Sequence, residues 1–360
     1  MHGFPGYGGA SFAGLALSAL LGSGLEAQPG RAGEQRITLR NPVAQATFCI
    51  QGGALVDFHL HCAPVNPLSW DPKGGFGLGP HTRGHYVCFD RWGPSTAEDY
   101  ARGIPVHGEA HHTTWDVIRY PQLDSPTLVL SCRLPVSGLE LHRRVRLAAR
   151  EPVLTVVDTV RNPDSRPRIY NLIQHASLGP PFLNASTRID TNAERGCSLD
   201  KFVSPEPWTL PQSWPVFQCG AVAVDLRYAR NCFGPGLLSL TYPPETETAW
   251  VTAVSPEHGV LLGYAWDPQA YPWLNLWRYH ENTTPAAFGL EPGTTGVHTT
   301  FPELLELAGK YPRPLVHELA PGQSRTYEFT VFLARVDAGF RGVDQVEIME
   351  EGEIRVREAR

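Results

Sequence analysis

Alternation is the feature that most limits what this chain can become. Apolar and polar residues take turns in RITLRN (36–41), ALVDFHLH (54–61), PTLVLSCRL (126–134), LELHRRVRL (139–147), VLTVVDTVRN (153–162) and RIYNLIQHA (168–176). Further on, LLSLTY (237–242), GVLLGYAW (259–266) and RTYEFTVFLARV (325–336) continue as short strand-like runs. Successive side chains of a strand point to opposite faces, so a period of two marks a strand with one buried face. Turn residues bound these segments, and 35 Gly with 33 Pro in 360 residues leave little room for long helices. Only STAEDYAR (95–102) and PELLELAGK (302–310) have a helical look. Parallel strands need long, usually helical, crossovers. The pattern therefore predicts an all-β fold, a large antiparallel sandwich with few short helices.

No internal repeat and no linker divides the chain. The Pro-rich patches near 204–215 and 312–314 read as loops between strands. The expected organisation is one sandwich domain over 35–340, a C-terminal strand or solvated acidic tail over 341–360, and a leader or flexible segment over 1–34. The leader contains a short apolar run, FAGLALSALL (12–21). An export signal wants a basic residue before such a run, yet the first Arg or Lys is Arg31, and LEAQ lacks the small residue expected three before a cleavage site. The run is too short to cross a bilayer. Cytoplasmic residence is expected, with export through residues 1–27 as the alternative. Seven cysteines, odd in number and without a CxxC pair, read as reduced thiols rather than a disulfide framework or a zinc ribbon.

Charge removes further classes. With 18% charged and 42% apolar residues, the chain is not a long disordered one. A net charge of −6 with only three lysines (Lys73, Lys201, Lys310) gives no basic face for phosphates, so nucleic acid is excluded as a partner, and no membrane partner is expected. A sugar phosphate is disfavoured on the same ground.

Five segments carry candidate chemistry. Asp57, His59 and His61 would share one strand face, in the manner of three metal ligands, and a DxHxH strand opens amidohydrolase-like metal sites. Those sites need a barrel of alternating strands and helices, which is lacking here, so a partly solvated strand is the plainer reading. In IPVHGEAHHTTWD (104–116), Gly108 suggests a turn that splays His107, His111 and His112 apart, leaving His107 at a cleft mouth. His175 ends an apolar strand facing the same way as Asn171 and Ile173, and reads as either a cleft residue or a satisfied core histidine. Glu291, locked by the following Pro-Gly, is costly to bury without a partner or a task. In YPWLNLWRYH (271–280), the Trp277 ring with Asn275 and Arg278 suits a sugar, whose ring face stacks while its hydroxyls hydrogen-bond; a Trp-rich core strand is the alternative.

Read in order, NPLSW (66–70), CFDRWGP (88–94), IPVHGEA with Trp115, VRNPDSRP (160–167), QHASLGPPFLN (174–184), WLNLW (273–277), GLEPGTT (289–295) and LAPGQS (319–324) resemble the aldose 1-epimerase, or galactose mutarotase-like, family over about residues 36–337. The resemblance implies a β-supersandwich binding a small-molecule carbohydrate in a cleft on one sheet. It matches Glu291 to the catalytic base, His175 to the catalytic acid, His107 to a second active-site histidine and Arg91 to an arginine that contacts sugar hydroxyls. Trp277 falls where such proteins often carry an aromatic residue. Two departures stand out: GEA replaces a more usual Gly-Gly after His107, and a further sugar-binding Asp has no counterpart between 226 and 266.

The chemistry stands on its residues as well. Exchanging anomers needs a base at the C1 hydroxyl and an acid at the ring oxygen, on opposite sides of the sugar. An ionised Glu291 and a protonated His175 would serve, with no cofactor and no metal. The expected protein is thus an isomerase, monomeric or homodimeric. The alternatives are a non-catalytic sugar-binding protein on the same fold and a uronate-acting lyase, for which Arg83, Arg91 and Arg278 would neutralise the substrate carboxylate.

Overall fold

The computed structural model describes residues 33–122, 126–199, 211–231, 236–349 and 353–359. The apolar run at 12–21, the start of the 204–215 patch and Cys232 lie outside them. Two large antiparallel sheets face each other. The eleven-stranded sheet runs in spatial order through Arg36–Arg40, Ala44–Cys49, Ala54–Leu60, His85–Asp90, Arg168–Leu178, Thr284–Gly293, Trp273–Glu281, Leu237–Thr241, Arg195–Ser198 and Gln212–Ser213, with His317–Leu319 paired to the end of Arg168–Leu178. The eight-stranded sheet runs Arg188–Thr191, Ala249–Ser255, Val260–Trp266, Ser324–Arg335, Val153–Arg161, Glu140–Leu147, Thr127–Arg133 and Asp116–Arg119. The all-β expectation holds, and the two expected helices are Ala97–Ala101 and Phe301–Leu307, each opened by a Thr capping box.

Strand parity sorts the side chains. In Glu140–Leu147 the alternate residues Leu141, Arg143, Val145 and Leu147 point inward and their neighbours outward, as the period of two predicts. The inward residues of both sheets merge into one hydrophobic core. Within it, Arg143 donates to both oxygens of Asp158 at 2.8 and 2.7 Å and to Gln174 at 2.8 Å, while Gln174 donates to Asp158 and Tyr271. Every polar group in that set has a partner, which is the condition under which a buried network is tolerated.

The central strands of the larger sheet are buried on both faces. From Tyr170 to Leu178 every residue is buried. One face meets the sandwich core; the other is roofed by the loops around 68–79, 91–107 and 297–299. His85–Asp90 is one strand that alternation misses: all six of its residues are buried and no polar phase remains to read.

Val343–Ile348 and Ile354–Glu358 form a hairpin whose Val343 and Val346 pack with Trp250, Leu261 and Phe332 on the outer face of the smaller sheet. The six described cysteines are free thiols. Among the described residues, no helix is long and apolar enough to cross a membrane.

Candidate active site

Four adjacent strands of the larger sheet make a floor. His175 stands on Arg168–Leu178 directly opposite Tyr86 on His85–Asp90, and Asn275 on Trp273–Glu281 lies opposite Glu291. Leu290 opposes Ala176 and Gly293 opposes Ile173, a register in which Glu291 and His175 are the pair next to Leu290 and Ala176. Ala176 and Leu290 enter the sandwich core, so His175 and Glu291 emerge on the opposite face. His175 Nε2 lies 3.1 Å from Glu291 Oε1. The expectation that the two flank a pyranose from opposite sides is therefore corrected: register makes them neighbours, and together they present one surface.

Small residues make room for this pair. A Cβ at Gly289 would stand 2.3 Å from Glu291 Oε1. Ser177 Oγ lies 3.0 Å from His175 Nδ1. A hydroxyl donates or accepts, so Ser177 suits either tautomer of the ring. Tyr86 stacks on His175 with centroids 4.4 Å apart.

The electrostatics are set by burial. Glu291 is 1% and His175 4% exposed. Burial raises the Glu291 carboxyl well above the usual carboxylate range, with the Trp92 indole opposing the rise. The same burial lowers His175 to about 3, and His85 and His298 add to the fall. The expectation of an ionised Glu291 beside a protonated His175 is thereby reversed for the pair as it stands, because low dielectric penalises both charges. What persists is one proton between two groups at hydrogen-bonding range. Neither carboxylate oxygen has a well-aligned hydrogen bond.

These residues line a cavity of about 410 Å³, within the range of small-molecule sites. His107 enters it from a turn with φ of 64°, followed by Gly108 at φ 80°, where a Cβ would meet Phe89 O at 2.1 Å. That close approach admits only glycine. His107 lines the cavity, His111 is fully buried with its ring 6.5 Å from that of His107 and neither ring nitrogen hydrogen-bonded, and His112 is exposed. His107 Nε2 is 3.1 Å from His298 Nε2. Burial lowers both, His298 to about 4.

Neither a known family model nor a curated protein matches the sequence. Solved structures do match the fold. A galactose mutarotase-related enzyme from Lactobacillus acidophilus superposes with a TM-score of 0.61 at 12% identity, over 84% of this chain and 98% of that one. A galactose mutarotase-like protein from Clostridium acetobutylicum gives 0.60 at 14%, over 85% and 96%. A GalM/aldose epimerase homologue from C. elegans gives 0.60 at 14%, over 84% and 100%. The fold is galactose mutarotase-like.

On this galactose mutarotase-like sandwich, five of the seven residues singled out from sequence line the cavity: His107, His175, Trp277, Arg278 and Glu291. Two do not. Arg91 is held by Asp90 at 3.0 Å and by Asp99 at 2.6 Å, over the Phe301 ring, and its place at the cavity is taken by Trp92. Asn275 shares a strand face with Trp277, but its amide accepts from Ser239 at 2.7 Å and donates to Thr295 O at 3.0 Å. Of the arginines a lyase would use, Arg83 pairs with Glu34 at 2.6 Å and only Arg278 reaches the cavity. The DxHxH strand is likewise occupied: His59 bonds Asp57 at 2.9 Å and His61 bonds Asn41 O at 3.0 Å. Among the described residues, no group of three or more His, Cys, Asp or Glu is arranged to hold a metal ion.

Sequence reasoning missed Trp70, Phe76, Tyr86, Trp92, Tyr279 and His298, all of which line the cavity. Two of them carried a signal. Phe76 is the one aromatic residue in a glycine-rich run, PKGGFGLG (72–79), and His298 follows the Glu291 strand in GTTGVHTT (293–300).

Proposed function

We propose that the protein interconverts the anomers of a reducing sugar by acid–base ring opening at Glu291 and His175. One observation carries this reading: a buried carboxylate and a buried imidazole, 3.1 Å apart, both facing a cavity of small-molecule size. A buried carboxylate without aligned partners is costly, and a ligand that supplies hydroxyl donors relieves that cost. The fold supports a carbohydrate ligand as well, since neighbours that share it are described as galactose mutarotase-related or aldose epimerase proteins.

Sugar hydroxyls that donate to Glu291 would stabilise its ionised form, and the proton would pass to His175 Nε2. Glu291 then takes the proton of the C1 hydroxyl. The electron pair of that O–H bond forms the C1 carbonyl as the C1–O5 bond breaks, and O5 receives the proton of His175. After rotation about C1–C2 the steps run in reverse and the pair is restored. No proton need come from bulk water. His107 and His298 are placed to hold ring hydroxyls, and Trp277 to take a ring face.

The test is anomer exchange, followed by polarimetry or NMR over free hexoses, pentoses and uronic acids. At least one is expected to equilibrate faster than background. Glu291→Gln and His175→Ala are each expected to lower the rate by ~10²–10⁴-fold with an unchanged thermal melt. Saturable binding with background exchange would make the molecule a sugar-binding protein instead. An unsaturated product from a uronate polymer would make it a lyase.

A further inference from the structure

The cavity has two ends of different chemistry. At one, Glu291 meets His175, and His107 lies 5.6 Å from His175 between ring centroids and bonds His298. At the other, Trp70, Phe76, Trp277 and Tyr279 form a continuous aromatic wall. Ring centroids are 5.5 Å apart for Trp70 and Trp277, 5.9 Å for Phe76 and Trp277, and 5.0 Å for Phe76 and Tyr279, all nearly edge-to-face. Trp277 joins the ends, standing 6.0 Å from the His175 ring.

A free hexose fits only the first end well. It carries an oxygen on nearly every carbon, and a hydroxyl buried against hydrocarbon without a partner weakens binding. Arg91 and Asn275, whose donors would answer such hydroxyls, are turned into ion pairs and cross-strand bonds. Among the described residues, Arg278 is the charged group at the aromatic end, and it donates to Asn231 O at 2.8 Å.

Phe76 points the same way. It is 53% exposed, and its backbone sits at φ 61°. A bulky residue pays for a left-handed backbone, and such strain persists mainly at ligand clamps and switch regions. Its neighbours in the loop, Gly74, Gly75 and Gly77, show that small residues are tolerated there. The strain holds an apolar ring over the cavity mouth, where water alone would gain nothing from it.

We infer that the substrate is an amphipathic reducing sugar. Its free C1 hydroxyl lies at Glu291 and His175, and an apolar aryl or acyl substituent on a carbon remote from C1 lies against Trp70, Phe76, Trp277 and Tyr279. The placement of C1 rests on the anomer-exchange reading; the apolar end rests on the wall alone.

Calorimetric titration of the full chain tests it, comparing D-glucose, its 3-O-, 4-O- and 6-O-benzyl ethers, and benzyl alcohol. At least one benzyl ether is expected to bind roughly ten- to a hundredfold more tightly than glucose. Phe76→Ser, at an exposed position, and Tyr279→Ser are each expected to shrink that ratio. The inference is overturned if no ether outbinds glucose, if benzyl alcohol binds as tightly as the best ether, or if the ratio survives both substitutions. NMR exchange at matched occupancy separates the two readings. Tight ether binding with background exchange rejects anomer exchange and upholds the wall, whereas accelerated glucose exchange with no gain from benzyl rejects the wall alone.

Discussion

Glu291 keeps its position because the residue two before it on the same face is glycine. Gly289→Ala would bring a methyl group 2.3 Å from Glu291 Oε1 and 3.2 Å from Trp277 Cβ, so the carboxylate must move. A displacement near 1 Å in a reacting group costs about 10²-fold in rate, and overpacking costs about 1–3 kcal/mol. Gly289→Ala is thus expected to lose most anomer exchange while still melting cooperatively at a reduced midpoint; a wild-type exchange rate would show that the carboxylate position does not matter. Parity alone leaves His175 as either a cleft residue or a satisfied core histidine, because its strand is buried on both faces; it is the ordered resemblance that singles out His175 and Glu291 together. The same resemblance misplaces Arg91. Its guanidinium is diverted by Asp90 beside it and by Asp99, which also caps the Ala97–Ala101 helix, and no one-dimensional pattern records which acid an arginine will choose. Asn275 fails for a related reason: it shares the parity of Trp277, but Ser239 and Thr295 consume its amide.

Alternation phases a strand best where one face is wet, although Leu237–Thr241 and Val260–Trp266, buried on both faces, still read as apolar runs. Glu140–Leu147 and Thr127–Arg133 announce themselves by alternation, while His85–Asp90, central to the floor, has no exposed residue to set a phase. The terminal hairpin is obscured differently, because its acidic outer residues dominate the composition and conceal Val343 and Val346. Val346 is 3% exposed against the cluster that contains Trp250 and Phe332. Removing two methyl groups there, in Val346→Ala, is expected to cost about 2 kcal/mol in urea unfolding. Trp250 and Phe332 belong to the outer face of the smaller sheet, on the far side of the core from the cavity, so anomer exchange should be unaffected. A stability unchanged within about 0.5 kcal/mol would mean that the hairpin does not pack there.

Covering both faces of a sheet has a consequence for the whole molecule, since it removes imidazoles from water in several places at once. Burial lowers His85 and His175 to about 3, and His298 and His317 to about 4, while His107 and His111 are lowered as well. Unfolded histidine titrates near 6.5. Above that pH neither state is charged and the native state bears no penalty. Between 6.5 and the folded values the unfolded chain binds protons that the native chain refuses, so stability falls as pH falls. At pH 5 each of His85, His175, His298 and His317 then withdraws about 2 kcal/mol, the equivalent of 1.5 pH units. Two acids work the other way. Asp90, raised by burial to about 6, and Glu291, raised well above its usual range, hold native protons that the unfolded chain releases above pH 4–4.5, so acidification relieves their cost. Among the described residues the lowered imidazoles outnumber the two raised carboxyls, so the net change between pH 7 and pH 5 is a loss of stability. The thermal midpoint should therefore drop over that interval. His317→Asn, remote from the cavity, should flatten the slope by about one proton's share without touching anomer exchange, whereas a midpoint that holds or rises on acidification would show that the buried rings take up protons in the native state after all.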